Sequence, residues 1–250
     1  MLEVLVAAYG ISFLLYFVAG RKVSLGVYTC GAAYNLYLVL DRWVEAGHLP
    51  FSNMYETLVS LGFCVFLLHV ITEWGMKVGA PWMDPLIGAV MITGAFFRSP
   101  EVHPLMPALQ SPLFFPHVFS YVLAYAAAAK GCALAICTLA SRDPAARLQR
   151  EKGTYQVLRV GFPLLTAGLL LGAVWAKLAW GDYWSWDPKE MWSLITWMVY
   201  LGYFHYRFRR GPRSKLVPWL AVTGFVMVVV TLWIVNLTKA FAGLHSYAGP

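Results

Sequence analysis

The stretch from Trp175 to Trp197, WAKLAWGDYWSWDPKEMWSLITW, holds the residues of this chain that are best suited to binding a ligand. Six of the chain's 11 Trp residues lie in it: Trp175, Trp180, Trp184, Trp186, Trp192 and Trp197. A membrane-surface aromatic belt explains two or three of them, but not a run with Asp-Pro at its centre. A broad surface of indole rings suits a flat, apolar, conjugated ligand, and haem is the obvious candidate.

The Asp187-Pro188 pair predicts a break in this stretch. Pro188 lacks an N–H and disfavours helical dihedral angles at Asp187, so a helix should restart at about Pro188. Asp187 can cap that helix, orient a His or Trp N–H near the ligand, or do both. The candidate ligand contacts are Trp180, Trp184, Asp187, Trp186 and Trp192.

Part of the Trp stripe has a simpler interpretation as helix packing. Trp180 and Trp184 are spaced by one helical turn, which allows them to pack against a neighbouring helix. Trp175 is the residue of the stretch most suited to the protein core.

The composition indicates an all-α, polytopic membrane protein. With 60% hydrophobic residues, 12% charged residues and a mean hydropathy of +0.62, the chain is unlike a soluble domain. We predict a single membrane domain over residues 1–250 with about eight spans, each near the length that a bilayer requires. They are Leu2–Val18, Val23–Leu40, Tyr55–Thr72, Trp82–Phe97, Phe115–Leu139, Val160–Ala179, Trp192–Phe208 and Trp219–Leu237.

The distribution of Lys and Arg predicts the orientation. Thirteen of the 19 fall in one set of loops and five in the other, with Lys130 inside a span. By the positive-inside rule the basic loops are cytoplasmic, so both termini and the Trp-rich segment are external. The net charge of +7 is therefore an effect of topology and does not indicate nucleic acid binding. We expect no cleavable signal here, since no basic region precedes the first apolar run and no small-residue cleavage site follows it.

Histidines supply the candidate iron ligands, since neutral imidazole is a common axial ligand of haem. His117 opens the fifth span and His245 follows the eighth, so both are predicted at the level of the Trp-rich segment. His205 lies about 20 Å deeper than Trp192 and cannot share a haem with them. His69 reaches a similar depth, where it either snorkels towards the headgroups or ligates. Lys130 is likewise expected to snorkel.

The four Cys residues all lie in predicted spans, and none forms Cys-x-x-Cys or Cys-x-x-Cys-His. The chain therefore shows no thiol-redox motif and no covalent haem site of its own.

The string WGDYWSWDPKEMWSLITW resembles the WWD signature of membrane proteins that handle haem during assembly of c-type cytochromes. It most resembles the CcsA (ResC) branch of the System II cytochrome c synthase. Further matches are Phe51–Glu56 (FSNMYE) and Gly243–Ala248 (GLHSYA). In the resemblance, His117 and His245 match the external pair that holds haem, and His205 matches the family's transmembrane His.

The resemblance implies that haem b is bound outside the membrane and presented to the Cys-x-x-Cys-His thiols of apocytochrome c. It also implies haem export and a CcsB (ResB) partner, without which the synthase is expected to be inactive. No catalytic residue is predicted. The expected location is the bacterial plasma membrane, or the thylakoid membrane for a plastid protein.

Two alternatives remain open from the sequence. One is a System I haem handler that delivers haem to a carrier protein. The other is a non-haem transporter or structural membrane protein whose Trp residues form only an interfacial belt.

Overall fold

The computed structural model describes residues 1–234, which form helices and no strand. The described α-helices are α1 (Leu2–Val18), α2 (Arg21–Ala46), α3 (Met54–His69), α4 (Met83–Ala95), α5 (Phe114–Ala140), α6 (Pro144–Trp180), α7 (Pro188–Arg210) and α8 (Leu216–Val229). π-helical turns extend α3 over Val70–Gly75 and α8 over Val230–Ile234. The predicted all-α class is confirmed.

Five of the described helices are long and apolar enough to cross a membrane. They are Arg21–Ala46, Met54–Gly75, Phe114–Ala140, Pro144–Trp180 and Leu216–Trp233. α1 and α4 are shorter apolar helices. The chain is thus a multi-pass helical membrane protein, as predicted.

The chain divides into two compact units. The first, Met1–Gln110, contains α1 to α4 around a core of aromatic and aliphatic side chains that includes Leu5, Tyr9 and Tyr28. Ser12 and Ser24 tie α1 to α2, because each hydroxyl donates to the other residue's carbonyl at 2.9 and 2.8 Å. These reciprocal bonds satisfy two buried hydroxyls between apolar helices.

A buried His–Asp pair joins α3 to α4 in this unit. His69 Nδ1 lies 2.7 Å from Asp84 Oδ2, and the two side chains are 2% and 0% exposed. The imidazole packs edge-on against Tyr28 at 5.4 Å and stacks with Phe66 at 6.3 Å. The expectation that His69 snorkels to the headgroups is therefore wrong, since the ring is buried and its Nδ1 faces a carboxylate inside the protein.

We predict that Asp84→Ala destabilises the first unit. Removing one partner of a buried polar pair strands the other, which costs about 3 kcal/mol of unfolding free energy. Thermal unfolding of the protein in detergent measures the change. His103→Ala is the control, because that exposed His lies 3.8 Å from the exposed Glu101 and such pairs contribute little. Equal shifts for the two variants would contradict the prediction.

The second unit runs from Ser111 and contains α5 to α8. α5 and α6 make its most extensive helix contact, because small residues let their backbones approach closely. At Gly161 an added Cβ would come within 2.7 Å of the Ala127 methyl. Lys130 is 0% exposed on the same helix as Ala127, so the expectation that it snorkels to the membrane surface is also wrong.

An ion pair joins α6 to α7 at the basic end of α7. Arg207 donates through Nε and Nη2 to the two carboxylate oxygens of Glu151, at 2.6 and 3.2 Å. The guanidinium also lies 3.7 Å from the ring centroid of Tyr155. Glu151 is 2% exposed, so this bidentate contact holds one end of α7 against α6.

Candidate functional site

Helix α6 ends at Trp180, inside the Trp-rich segment (Trp175–Trp197). Gly181 adopts a left-handed conformation with φ +95°, and its N–H donates to the Lys177 carbonyl at 3.1 Å. The Lys177 ammonium in turn donates to the Gly181 carbonyl. Because α6 stops here, Trp180 and Trp184 do not lie on one helix, which argues against the alternative that these two residues pack as one helical stripe.

A capping box starts α7 at Pro188. This confirms that a helix restarts at Pro188 and that Asp187 caps it, as predicted. The Asp187 carboxylate accepts from the Lys189 N–H at 2.9 Å. The Glu190 carboxylate reaches back to the N–H groups of Ser185 and Asp187, at 2.8 and 3.2 Å. These bonds fix the loop that carries Trp184 and Trp186.

We predict that Glu190→Ala loosens this loop. The change removes the acceptor of the Ser185 and Asp187 amides and the acidic group of the first turn, so both amides should exchange with solvent faster. Hydrogen exchange of the peptide that covers residues 181–190 measures the effect. Glu45→Ala is the control, because Glu45 is exposed and its carboxylate lies 3.2 Å from Arg42, away from this loop's hydrogen bonds. Unchanged exchange at 185 and 187 would refute the role of Glu190.

The indole rings of the segment differ in burial. Trp175 is 2% exposed, as predicted for a core residue, and packs edge-on against Trp180 at 4.8 Å. Trp184 and Trp186 also meet edge-on, at 6.0 Å. Trp186 is 67% exposed and has φ +61°, a left-handed conformation that is costly for a bulky side chain. Strain of this kind concentrates at ligand-binding sites.

His117 lies in the first turn of α5 and packs on the same aromatic group. Its ring stacks on Trp175 at 5.6 Å with an angle of 29° between the planes. Nδ1 lies 2.8 Å from the Gly168 carbonyl oxygen on α6. A carbonyl only accepts, so Nδ1 carries the hydrogen and Nε2 has the lone pair that a metal requires. The structure therefore brings His117 together with Trp175 and Trp180.

The other predicted ligands are not gathered at this point. Trp192 is partly buried in the first turn of α7, and His205 is exposed near the opposite end of that helix, with Nδ1 3.0 Å from the Leu201 carbonyl. Because α7 is continuous, the two are separated by about 20 Å along its axis. His245 lies outside the described residues.

Sequence reasoning missed what the FSNMYE motif does in the first unit. Asn53 caps α3 by accepting from the Glu56 N–H at 2.9 Å. The buried Glu56 carboxylate accepts from Ser52 at 2.9 and 2.8 Å and from Arg42 at 3.1 Å. The Asn-x-x-Glu spacing is the signal that could have identified this cap.

Comparison with known proteins defines the class of protein. Residues 51–242 match the family model described as cytochrome C assembly protein. The chain is 36% identical over 233 residues to the cytochrome c biogenesis protein CcsA of Chlamydomonas reinhardtii, covering 84% of this chain and 64% of the relative. It is 34% identical over 265 residues to CcsA of Synechococcus sp. (strain CC9605), covering 90% and 86%.

A third relative, CcsA of Prochlorococcus marinus (strain MIT 9313), is 34% identical over 295 residues, covering 97% of this chain and 90% of the relative. The chain therefore belongs to the cytochrome c assembly protein family and is of the CcsA type. It spans a little under two thirds of the length of the Chlamydomonas protein.

Proposed function

We propose that this protein acts in cytochrome c biogenesis by holding haem against the Trp-rich segment and presenting it to apocytochrome c. The observation that carries the proposal is the tautomer of His117. Its Nδ1 hydrogen bond to Gly168 directs the lone pair to Nε2, beside the aromatic segment of a chain of the CcsA type.

The residues present fit a haem. The rings of His117, Trp175 and Trp180 form a continuous aromatic group with centroid separations of 5.6 and 4.8 Å. Beside the capping box, Trp186 offers an exposed ring on a strained backbone. Such rings bind the face of a porphyrin through dispersion and apolar burial, whereas the imidazole supplies an axial ligand.

Each part of the site then has a distinct task. His117 and His245 are the proposed axial ligands of the outer haem iron, and Trp180, Trp184, Trp186 and Trp192 hold the macrocycle, with Asp187 fixing the loop. When bound, haem supplies the two vinyl groups to which the thiols of a Cys-x-x-Cys-His segment add. The chain's contribution is to position the haem and exclude water, with no catalytic side chain of its own.

The same proposal includes a second, inner haem position at His205. Its imidazole is exposed near the basic end of α7, where Arg207, Arg209 and Arg210 follow. His205 lies about 20 Å from Trp192 along α7. An inner and an outer haem position would therefore lie on one path across the membrane, as haem export requires. The basic end is proposed to be cytoplasmic and the Trp-rich segment external. A CcsB-type membrane protein is the proposed partner.

We predict that His117→Gly and His245→Gly each lower the haem that copurifies with the protein, because each removes an axial ligand. The Soret absorbance of the purified protein should fall severalfold, and imidazole added to the medium should restore part of it. Cytochrome c maturation in cells should fall in parallel. His205→Gly should reduce total haem while leaving the spectrum of the outer haem unchanged.

His103→Gly is the matched control, because this loop His is largely exposed, with its side chain 3.8 Å from Glu101 and its backbone carbonyl 3.3 Å from His48. Absence of a Soret band in the unmodified protein, even after haem is supplied, would favour a non-haem membrane protein. Delivery of haem to a carrier protein without a CcsB partner would favour the System I alternative. Normal maturation by both the His117 and His245 variants would overturn the outer site.

Lys189 is the proposed partner of the haem propionates, because it places a cationic group within the Trp-rich segment. Burial lowers the pKa of Lys189 to about 8, and Asp187 opposes this effect. The amine is therefore charged below that pH and neutral above it.

We predict that haem affinity falls as the pH rises from 7 to 9, because Lys189 loses the charge that attracts the propionates. The expected decrease is about fivefold, the equivalent of roughly 1 kcal/mol for a partly exposed charge pair. Spectroscopic haem titration measures it. Lys189→Arg keeps its charge over this range and should remove most of the pH dependence. The same decline in Lys189→Arg would show that another group is responsible.

A further inference from the structure

The His117 ring lies in a notch that two glycines make on α6. Gly168 and Gly172 are one turn apart on the face of α6 that meets α5. A Cβ built on Gly172 would come within 2.5 Å of His117 Cε1 and 2.8 Å of Nδ1. A Cβ on Gly168 would come within 2.8 Å of the Tyr121 ring. Any larger side chain at 172 would displace the imidazole, because separations below 3 Å are not tolerated.

The notch determines the orientation of the imidazole as well as its position. The Gly168 carbonyl holds Nδ1 at 2.8 Å, Trp175 stacks on one side of the ring, and Tyr121 meets it edge-on at 5.2 Å. Three contacts on different sides leave the ring a single orientation. Outer hydrogen bonds of this kind orient metal-binding imidazoles and raise their basicity.

We propose that Gly172 and the Gly168 carbonyl are positioning elements of the outer haem site, which set the tautomer and the donor strength of His117. This inference rests on the proposed role of His117 as an iron ligand. A more basic imidazole favours the ferric over the ferrous iron, so the Gly168 bond lowers the midpoint potential of the bound haem. Loss of that bond should weaken haem binding and raise the potential.

Gly172→Ala tests the proposal in the full-length protein purified with haem. The added methyl group pushes the ring off the Gly168 carbonyl, so haem affinity should fall by about 10–100-fold, the range for lost outer-sphere partners of a metal ligand. The midpoint potential, measured by spectroelectrochemical titration, should rise. Gly202→Ala on α7 is the matched control, because nothing lies within 4 Å of a Cβ at that helical position. It should change neither quantity.

A second variant separates an effect on His117 from an effect on helix packing. In the His117→Gly background the space beside residue 172 is vacated, so adding Gly172→Ala should lower neither the yield nor the haem retained without added imidazole any further. If the double variant loses haem or fails to fold where His117→Gly does not, Gly172 serves helix packing and the inference is overturned.

The outcomes also distinguish this inference from the proposed function. A His117→Gly spectrum identical to that of the unmodified protein would refute the haem site itself. A clear loss in His117→Gly, combined with unchanged affinity and potential in Gly172→Ala, would leave the haem site intact and refute only the positioning role. A rise in potential for Gly172→Ala but not for Gly202→Ala would support it.

Discussion

The close contact between α5 and α6 is the constraint on which the candidate site depends. Glycines on α6 replace side chains that would otherwise separate the helices, and the alanine face of α5 fills the space. In an apolar bilayer this packing has to rely on dispersion and complementary shape, because lipid tails solvate apolar side chains equally well. The same contact brings the carbonyl of Gly168 to His117, so helix association and the orientation of the His117 ring have one origin.

α7 is held at both of its ends by buried carboxylates of different origin. At its start, Glu190 and Asp187 satisfy the N–H groups that a helix leaves without intrahelical partners. At its other end, Glu151 of α6 holds Arg207. A helix fixed in this way maintains a constant separation between Trp192 and His205. The Trp-rich segment and His205 are therefore linked by one continuous helix.

The sequence predicted those features that depend on local chemistry. The break at Pro188 follows from proline geometry, and the burial of Trp175 follows from its place within a long apolar run. Features that join distant segments were not predictable. Nothing near His69 indicates that Asp84, on the next helix, holds it. The helix end at Trp180 agrees with the predicted span Val160–Ala179, and Gly181 is the local signal for it.

The left-handed backbone at Trp186 has a consequence for how a cargo would leave the protein. Its conformational cost, roughly 1–2 kcal/mol for a residue with a Cβ, is borne when the chain folds and does not depend on a ligand. The capping box holds the backbone on both sides of Trp186, at Ser185 and Asp187. A surface that needs no rearrangement to bind a ligand also needs none to release it. Such a surface is suited to a protein that hands its cargo on, whereas permanent storage favours a pocket that closes around its ligand.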